Sequence, residues 1–163
     1  MEKEKGGISV STENIFPVIK RWLYSDKDIF LREVVSNACD AITKYKRLVS
    51  LGNIESDGSE PLVSVTVDKD TRTITISDNG IGMNADEVKK YINQIALSGA
   101  LEFIDKYESK EGNSGGIIGH FGLGFYSSFM VSDTVDVYTR SYTGAPAVKW
   151  TCSSDGEWEI FTD

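Results

Sequence analysis

Three polar side chains that could take part in binding or catalysis lie close together in the sequence. Glu33, Asn37 and Asp40 follow the spacing i, i+4 and i+7, which places them within an arc of about 60° on one face of an α-helix. That face borders an apolar stripe. Polar groups at the edge of a core lose hydration, which costs free energy unless a partner or a ligand compensates for it. A solvated face of a surface helix has the same spacing. The pattern therefore leaves a binding or catalytic site and an ordinary polar face both open.

A fourth polar group, Asp78, ends a segment in which Ile74, Ile76 and Asp78 share one face of a predicted strand. A carboxylate on a core face needs a hydrogen-bond donor. Capping of the following turn is one interpretation. The other is acceptance of a hydrogen bond from the exocyclic amine of adenine, because guanine presents an acceptor at that point and two facing acceptors are disfavoured.

A glycine-rich segment, Gly119–Phe125, precedes an apolar stretch predicted to be helical. Glycines let backbone amides approach a ligand closely, and a helix N-terminus favours an anion, so phosphate groups would fit there. The segment is neither a GxxxxGK[ST] loop nor a GxGxxG behind a strand. A flexible linker is the alternative. The single histidine, His120, is interpreted as structural.

Helical periodicity predicts the elements that position these groups. A first helix is capped by Ser11 or Thr12, and a second runs from Asp26 or Asp28 through about Val49. A third helix begins at Asn84, which forms a capping box pattern with Glu87. The apolar residues predicted to face the core are Ile15, Ile19, Trp22 and Leu23 in the first helix, Val34, Ala38, Ala41, Tyr45 and Leu48 in the second, and Val88, Tyr91, Ile92 and Ile95 in the third.

Alternating patterns predict the strands. A hairpin is expected from 62–67 and 73–78, with the valines at 63, 65 and 67 on one face. Three further strands are expected at 134–141, 147–152 and 158–161, after a buried helix at 125–131. Between the third helix and the buried helix, the glycine-rich segment 98–124 is a candidate mobile cover.

Composition limits the class of protein. The chain has 163 residues, 40% of them apolar and 26% charged, with a net charge of −8. These values predict one globular domain without a membrane span, and an acidic surface that repels nucleic acid. The charged first residues contain no apolar export signal, so a cytoplasmic location is expected. Cys39 and Cys152 do not show zinc-site spacing and are interpreted as packing residues.

Four segments, taken in order, resemble the nucleotide-binding motifs of the heat-shock protein 90 family of molecular chaperones. They are Leu31–Ala41, Asp78–Met83, Ser98–Gly99 and Ile118–Ser127. The wider superfamily includes DNA gyrase, histidine kinases and mismatch-repair ATPases. The resemblance implies an α+β fold of the Bergerat type, a two-layer α/β sandwich with helices on one face of a mostly antiparallel sheet. It also implies ATP or ADP binding with Mg²⁺ in an ATP-dependent heat-shock chaperone of the stress response, which binds unfolded proteins and assists their folding.

The resemblance assigns a role to each residue of this sequence that matches a site position of the family. Glu33 would be the general base that activates or orients the attacking water, and Asn37 would ligate Mg²⁺. Asp40 would support the site by hydrogen bonding, and Asp78 would accept the adenine amine. The remaining nucleotide contacts implied by the resemblance are Gly82 and Met83 at the base, Lys44 through water to phosphate, and the amides of Gly122, Leu123, Gly124 and Phe125 at the phosphates.

The resemblance also sets expectations for the whole protein. Residues 1–163 would form one ATP-binding domain, monomeric by itself and shortened at its C-terminal end, with 98–125 as its lid. Hydrolysis, very slow in the isolated domain, would need a middle domain, and a C-terminal domain would form the homodimer that acts on client proteins. Two positions depart from the family pattern: Leu97 replaces a lysine and Tyr91 an asparagine, as in a bacterial or divergent lineage.

Two alternatives remain from other classes. A histidine-kinase catalytic domain would share the fold but transfer phosphate to a protein histidine, and no phosphoacceptor helix pair is evident in this sequence. A nucleotide-gated interaction module would bind ATP and partners without hydrolysing ATP by itself.

Overall fold

The computed structural model describes residues 1–7, 28–94 and 127–163. The predicted first helix and the lid segment 98–125 lie outside these ranges. Six strands and two α-helices are described, the second helix continuing into a π-helical turn, together with one short 3₁₀ helix. Their bounds are β1 Glu2–Gly7, α1 Asp28–Ser50, β2 Val63–Asp68, β3 Thr73–Asp78, α2 Ala85–Val88, the π-helical turn Lys89–Gln94, the 3₁₀ helix Ser127–Met130, β4 Thr134–Thr139, β5 Val148–Ser153 and β6 Glu157–Thr162.

Four strands form an antiparallel sheet in the order β1-β6-β5-β4. Its inner face carries the core, because alternate residues of β5 are fully buried. Helical residues pack on that face, and the partners across the two layers are Val148, Trp150, Cys152 and Ile160 from the sheet with Val88, Ile92 and Phe129 from the helices. The predicted sandwich of helices on one face of an antiparallel sheet is confirmed, and the three C-terminal strands lie within two residues of their predicted bounds.

The strand β1 was not expected from the sequence. Its residues are mostly charged. On the outer face, ion pairs rather than alternating apolar side chains join it to β6. Lys3 and Lys5 each place Nζ 3.0 Å from a carboxylate oxygen of Glu159, and Lys3 Nζ lies 4.9 Å from the ring centre of Phe161. These ion pairs lower the pKa of Glu159, first through the hydrogen bond from Lys5.

On its inner face β1 makes two different contacts, one with β6 and one with the helix layer. Gly6 pairs with Trp158 of β6, and a methyl group at Gly6 would lie 2.6 Å from Cζ2 of that indole. The Trp158 Nε1 is buried and has no hydrogen-bond partner among the described residues. Glu4 forms an ion pair with Lys89, the first residue of the π-helical turn. The edge strand is thus attached to both layers.

The hairpin β2–β3 forms as predicted, with Val63 opposite Asp78 and Asp68 opposite Thr73. Its turn is organised by Asp68, whose Oδ1 accepts from the backbone N–H groups of Asp70 and Thr71 at 2.9 and 3.2 Å. The hydrogen bonds from Thr71 lower the pKa of Asp68. The turn chemistry therefore sets the register.

The face of this hairpin expected in the core is largely exposed. Val65, Val67 and Ile74 all present exposed side chains. The two strands form a sheet of their own and are not hydrogen-bonded to the four-stranded sheet. Helix α1 packs on β3 more than on β2, so only part of the apolar face is covered.

Helix α1 matches its prediction closely, and its end is defined by the backbone. The N–H groups of Gly52 and Asn53 donate to the carbonyls of Val49 and Leu48, both at 3.0 Å, which satisfies carbonyls left free at a helix C-terminus. Ala38 and Ile42 are its buried residues on the apolar side. The packing role expected for Cys39 is wrong, because that side chain is exposed, whereas Cys152 is buried as expected.

The helix predicted from residue 84 begins with the expected capping box. Asn84 Oδ1 accepts from the Glu87 N–H at 2.9 Å, and Glu87 Oε2 accepts from the Asn84 N–H at 2.8 Å. Only four residues are α-helical before the chain changes to π-helical geometry. Val88 and Ile92 nevertheless face the core as predicted. The helix predicted at 125–131 is a single 3₁₀ turn within the described residues. None of the described helices has the length and apolar character needed to span a bilayer.

Candidate functional site

Helix α1 presents the three spaced polar residues along a gradient from core to solvent. Glu33 is only 6% exposed, Asn37 is half-buried and Asp40 is exposed. The shared face therefore runs along the edge of the core rather than over open surface. This position differs from the solvated face that the spacing also allowed.

Burial changes the acidity of Glu33. Desolvation raises the pKa of its carboxyl above the ordinary value, and the neighbouring positive charge of Arg32 offsets part of the effect. A carboxylate with a raised pKa is a stronger proton acceptor than an exposed one. It also makes the folded chain less stable when ionised.

We expect Glu33→Gln to raise the thermal stability of the ligand-free chain at pH 7.5, because the amide carries no charge to desolvate. The folded pKa lies above the unfolded value, so wild type loses stability as the pH rises from about 4.5 through the folded pKa. The gain in Tm should therefore vanish below pH 4.5 and reach a plateau above the folded pKa. Calorimetry across pH 4–8 measures it, and a pH-independent difference would contradict the burial argument.

Asp78, at the end of β3, differs from its predicted environment. Its side chain is exposed rather than set in the core, because the hairpin face it shares is only partly covered. One carboxylate oxygen, Oδ1, accepts from the Gly80 N–H at 2.8 Å, as the turn-capping interpretation requires. The other oxygen has no hydrogen bond within the described residues and can accept from a ligand.

The turn that follows, residues 78–83, packs directly on helix α1. A methyl group at Gly80 would lie 2.4 Å from the carbonyl carbon of Ala41, so only glycine allows this approach. Beside it, the Ile81 N–H donates to the Ala41 carbonyl at 3.0 Å. Ala41 directly follows Asp40, so the 78–83 turn is held against the helix that carries Glu33 and Asn37.

The other side of the 78–83 turn is held by the end of β4 and the loop behind it. The Tyr142 N–H donates to the Ile81 carbonyl at 2.9 Å, and the Met83 N–H donates to Thr139 Oγ1 at 2.9 Å. Gly82, at φ +62°, lies against the carbonyl of Arg140. No sequence pattern predicted these three partners, which lie more than 50 residues further along the chain.

The structure brings together some of the predicted site residues. Glu33, Asn37 and Asp40 share one helix face, and Asp78, Gly82 and Met83 share the turn packed beside that helix. Lys44 is exposed, one helical turn beyond Asp40. Gly122, Leu123, Gly124 and Phe125 lie outside the described residues, as does His120.

Comparison with known proteins shows what the chain is similar to. Residues 25–162 match the family model for histidine kinase-, DNA gyrase B- and HSP90-like ATPases. The chain is 55% identical over 158 residues to the chaperone protein HtpG of Porphyromonas gingivalis and 54% identical over 158 residues to that of Bacteroides fragilis. It is 43% identical over 162 residues to that of Idiomarina loihiensis.

These relatives are much longer proteins. The matches cover 96–98% of this chain but only 22–25% of the three relatives. The chain thus spans about a quarter of their length.

Proposed function

This chain belongs to the family of histidine kinase-, DNA gyrase B- and HSP90-like ATPases, and we propose from that premise that it is the Mg²⁺-ATP-binding domain of an ATP-dependent molecular chaperone. The arrangement of α1 and the 78–83 turn is the main support for this proposal. A buried acid and a half-buried amide on α1 are held, through the Gly80 and Ile81 contacts with Ala41, beside a turn that presents an exposed carboxylate. The similarity to chaperone proteins HtpG favours a chaperone over a histidine kinase.

Asp78 is proposed to recognise the base. Its second carboxylate oxygen would accept from the exocyclic amine of adenine, while the Gly80 N–H holds the first oxygen in place. A guanine carbonyl at the same point would face an acceptor and be rejected. Gly82 and Met83, on the same turn, would line the base pocket.

The phosphates would extend from the turn toward α1. Asn37 provides one neutral oxygen, which fits an ion that takes one or two protein ligands and completes its shell with phosphate oxygens and water. Bound Mg²⁺ would neutralise part of the phosphate charge. Asp40 would hydrogen-bond to water or to the nucleotide, and Lys44 would contact the phosphates through water. The amides of Gly122, Leu123, Gly124 and Phe125 would complete the phosphate site, as the family resemblance implies.

Glu33 is proposed as the catalytic base. Its carboxylate would orient the water that attacks the γ-phosphate and accept its proton, a role favoured by the raised pKa. Burial keeps this carboxylate from being solvated by bulk water.

We expect Glu33→Ala in the full-length protein to bind ATP as wild type does but to lose turnover by at least about a hundredfold, because general bases contribute roughly 10²–10⁴-fold. Steady-state phosphate release and nucleotide titration measure the two effects separately. Turnover within a few fold of wild type would remove Glu33 as the base.

The proposal extends to the whole protein. Residues 1–163 form one ATP-binding domain with 98–125 as its lid, hydrolysis depends on a middle domain, and a C-terminal domain forms the homodimer. The full-length protein binds unfolded clients in the cytoplasm under stress. The similarity to chaperone proteins HtpG supports the chaperone part of this proposal.

Titration of the 163-residue chain with ATP, with and without Mg²⁺, tests the proposal. Saturable binding of ATP and ADP, strengthened for ATP by Mg²⁺, is the expected result. GTP serves as the control and should bind at least about tenfold more weakly, since it presents an acceptor to Asp78. No binding of any adenine nucleotide at millimolar concentration would contradict the proposed function.

A further inference from the structure

Besides the hydrogen bonds of the Asn79 side chain with residues 59–62, three hydrogen bonds join the 78–83 turn to α1 and to residues 139–142. Two of them join backbone groups: Ile81 N–H to the Ala41 carbonyl on α1, and Tyr142 N–H to the Ile81 carbonyl. The third joins the Met83 N–H to Oγ1 of Thr139, the last residue of β4, at 2.9 Å. Of these three bonds, only the last depends on a side chain and can be removed by substitution.

The third bond acts at the exit of the turn. Met83 follows Gly82, which is packed on the Arg140 carbonyl, and precedes Asn84, the N-cap of α2. Met83 is half-buried and packs against the core cluster. The Thr139 hydroxyl therefore fixes the point where the chain leaves the turn and enters the helix layer.

A displacement of Met83 would alter the geometry of the proposed nucleotide site. Asp78 and Met83 lie at the two ends of the turn, and the turn rests on α1 through Gly80 and Ile81. If Met83 moves, the base contacts shift relative to the helix that carries Asn37. An unpaired Met83 N–H would seek water, since a part-buried donor without a partner is costly.

We propose that Thr139 is a positioning residue of the nucleotide site. It holds the 78–83 turn in place beside α1 by accepting the hydrogen bond from the Met83 N–H. The inference rests on the proposed function. Valine is the appropriate probe, because it matches threonine in shape and strand preference but has no acceptor.

Calorimetric titration of the 163-residue chain at 20 °C tests the role, using adenosine, ADP and ATP with Mg²⁺. We expect Thr139→Val to weaken all three ligands by the same factor, about tenfold, because the turn contacts their common base. Thr139→Ser keeps the acceptor and should restore affinity to within about twofold. The matched control is Thr66→Val on β2, whose exposed side chain lies away from the turn and whose substitution should leave affinity unchanged.

Three results would overturn the inference. In the first, Thr139→Val lowers only the Tm and binds nucleotides as wild type does, which would show a purely stabilising role. In the second, Thr139→Ser binds as weakly as Thr139→Val, so that the hydroxyl is not the cause. In the third, amide exchange of nucleotide-bound wild type shows Met83 exchanging as fast as an unstructured peptide, a measurement that holds even if the valine variant does not fold. Failure of wild type to bind adenosine, ADP or ATP would instead remove the proposed function itself.

Discussion

An Asp78→Asn chain is expected to bind neither ATP nor ADP at concentrations that saturate wild type. The Gly80 N–H needs an acceptor at 2.8 Å, so the asparagine amide would place its oxygen there. Its NH₂ group would then face the adenine amine, and two donors would meet where a donor and an anionic acceptor met before. Loss of a charge-assisted bond together with an unpaired donor should weaken binding by at least about a hundredfold.

Calorimetry with millimolar ATP and ADP measures this loss. Asp70→Asn is the matched control, because Asp70 is exposed in the hairpin turn and its substitution removes the same charge. It should bind nucleotide as wild type does. Affinity of Asp78→Asn within tenfold of wild type would contradict the adenine assignment.

The second large effect is expected from Gly82→Ala. A methyl group at this position would lie 1.8 Å from the carbonyl oxygen of Arg140 and 2.6 Å from its carbonyl carbon. Both atoms belong to the backbone, so rotation of a side chain cannot relieve the overlap. The 78–83 turn must move, and we expect a loss in the free energy of unfolding of more than about 3 kcal/mol, with the positive φ contributing roughly 1–2 kcal/mol of it.

Urea unfolding of Gly82→Ala and Gly144→Ala separates the two contributions. Gly144 has a similar φ of +79°, but apart from its chain neighbours no atom of the described residues lies within 4 Å of the added methyl group. Its substitution should cost only the conformational penalty, about 1–2 kcal/mol. Equal losses in both variants would show that the Arg140 contact is unimportant.

Local patterns in the sequence predicted much of the fold. The hairpin, α1 and the Asn84–Glu87 capping box all depend on residues close together in the chain, and each was found where the pattern placed it. Strand β1 was missed because its contacts are long-range. Lys3 and Lys5 pair with Glu159 of the distant strand β6, and no local feature of six mostly charged residues signals that pairing.

The candidate site was predictable in part for the same reason. Helical spacing placed Glu33 and Asn37 on one face, and the family motifs assigned them roles. The sequence could not show that Thr139 meets Met83, since 56 residues separate them. The alternation of side chains along a strand shows on which face Asp78 lies. It does not show what covers that face, so the exposure of Asp78 could not be predicted.

The close packing of Trp158 on Gly6 has a spectroscopic consequence. The backbone of β1 covers this indole, whereas Trp150 is fully buried in the middle of the core face. Release of the edge strand would bring water to Trp158 while leaving Trp150 enclosed. Trp158 is thus an intrinsic fluorophore whose emission reports whether the N-terminal strand is attached to the sheet.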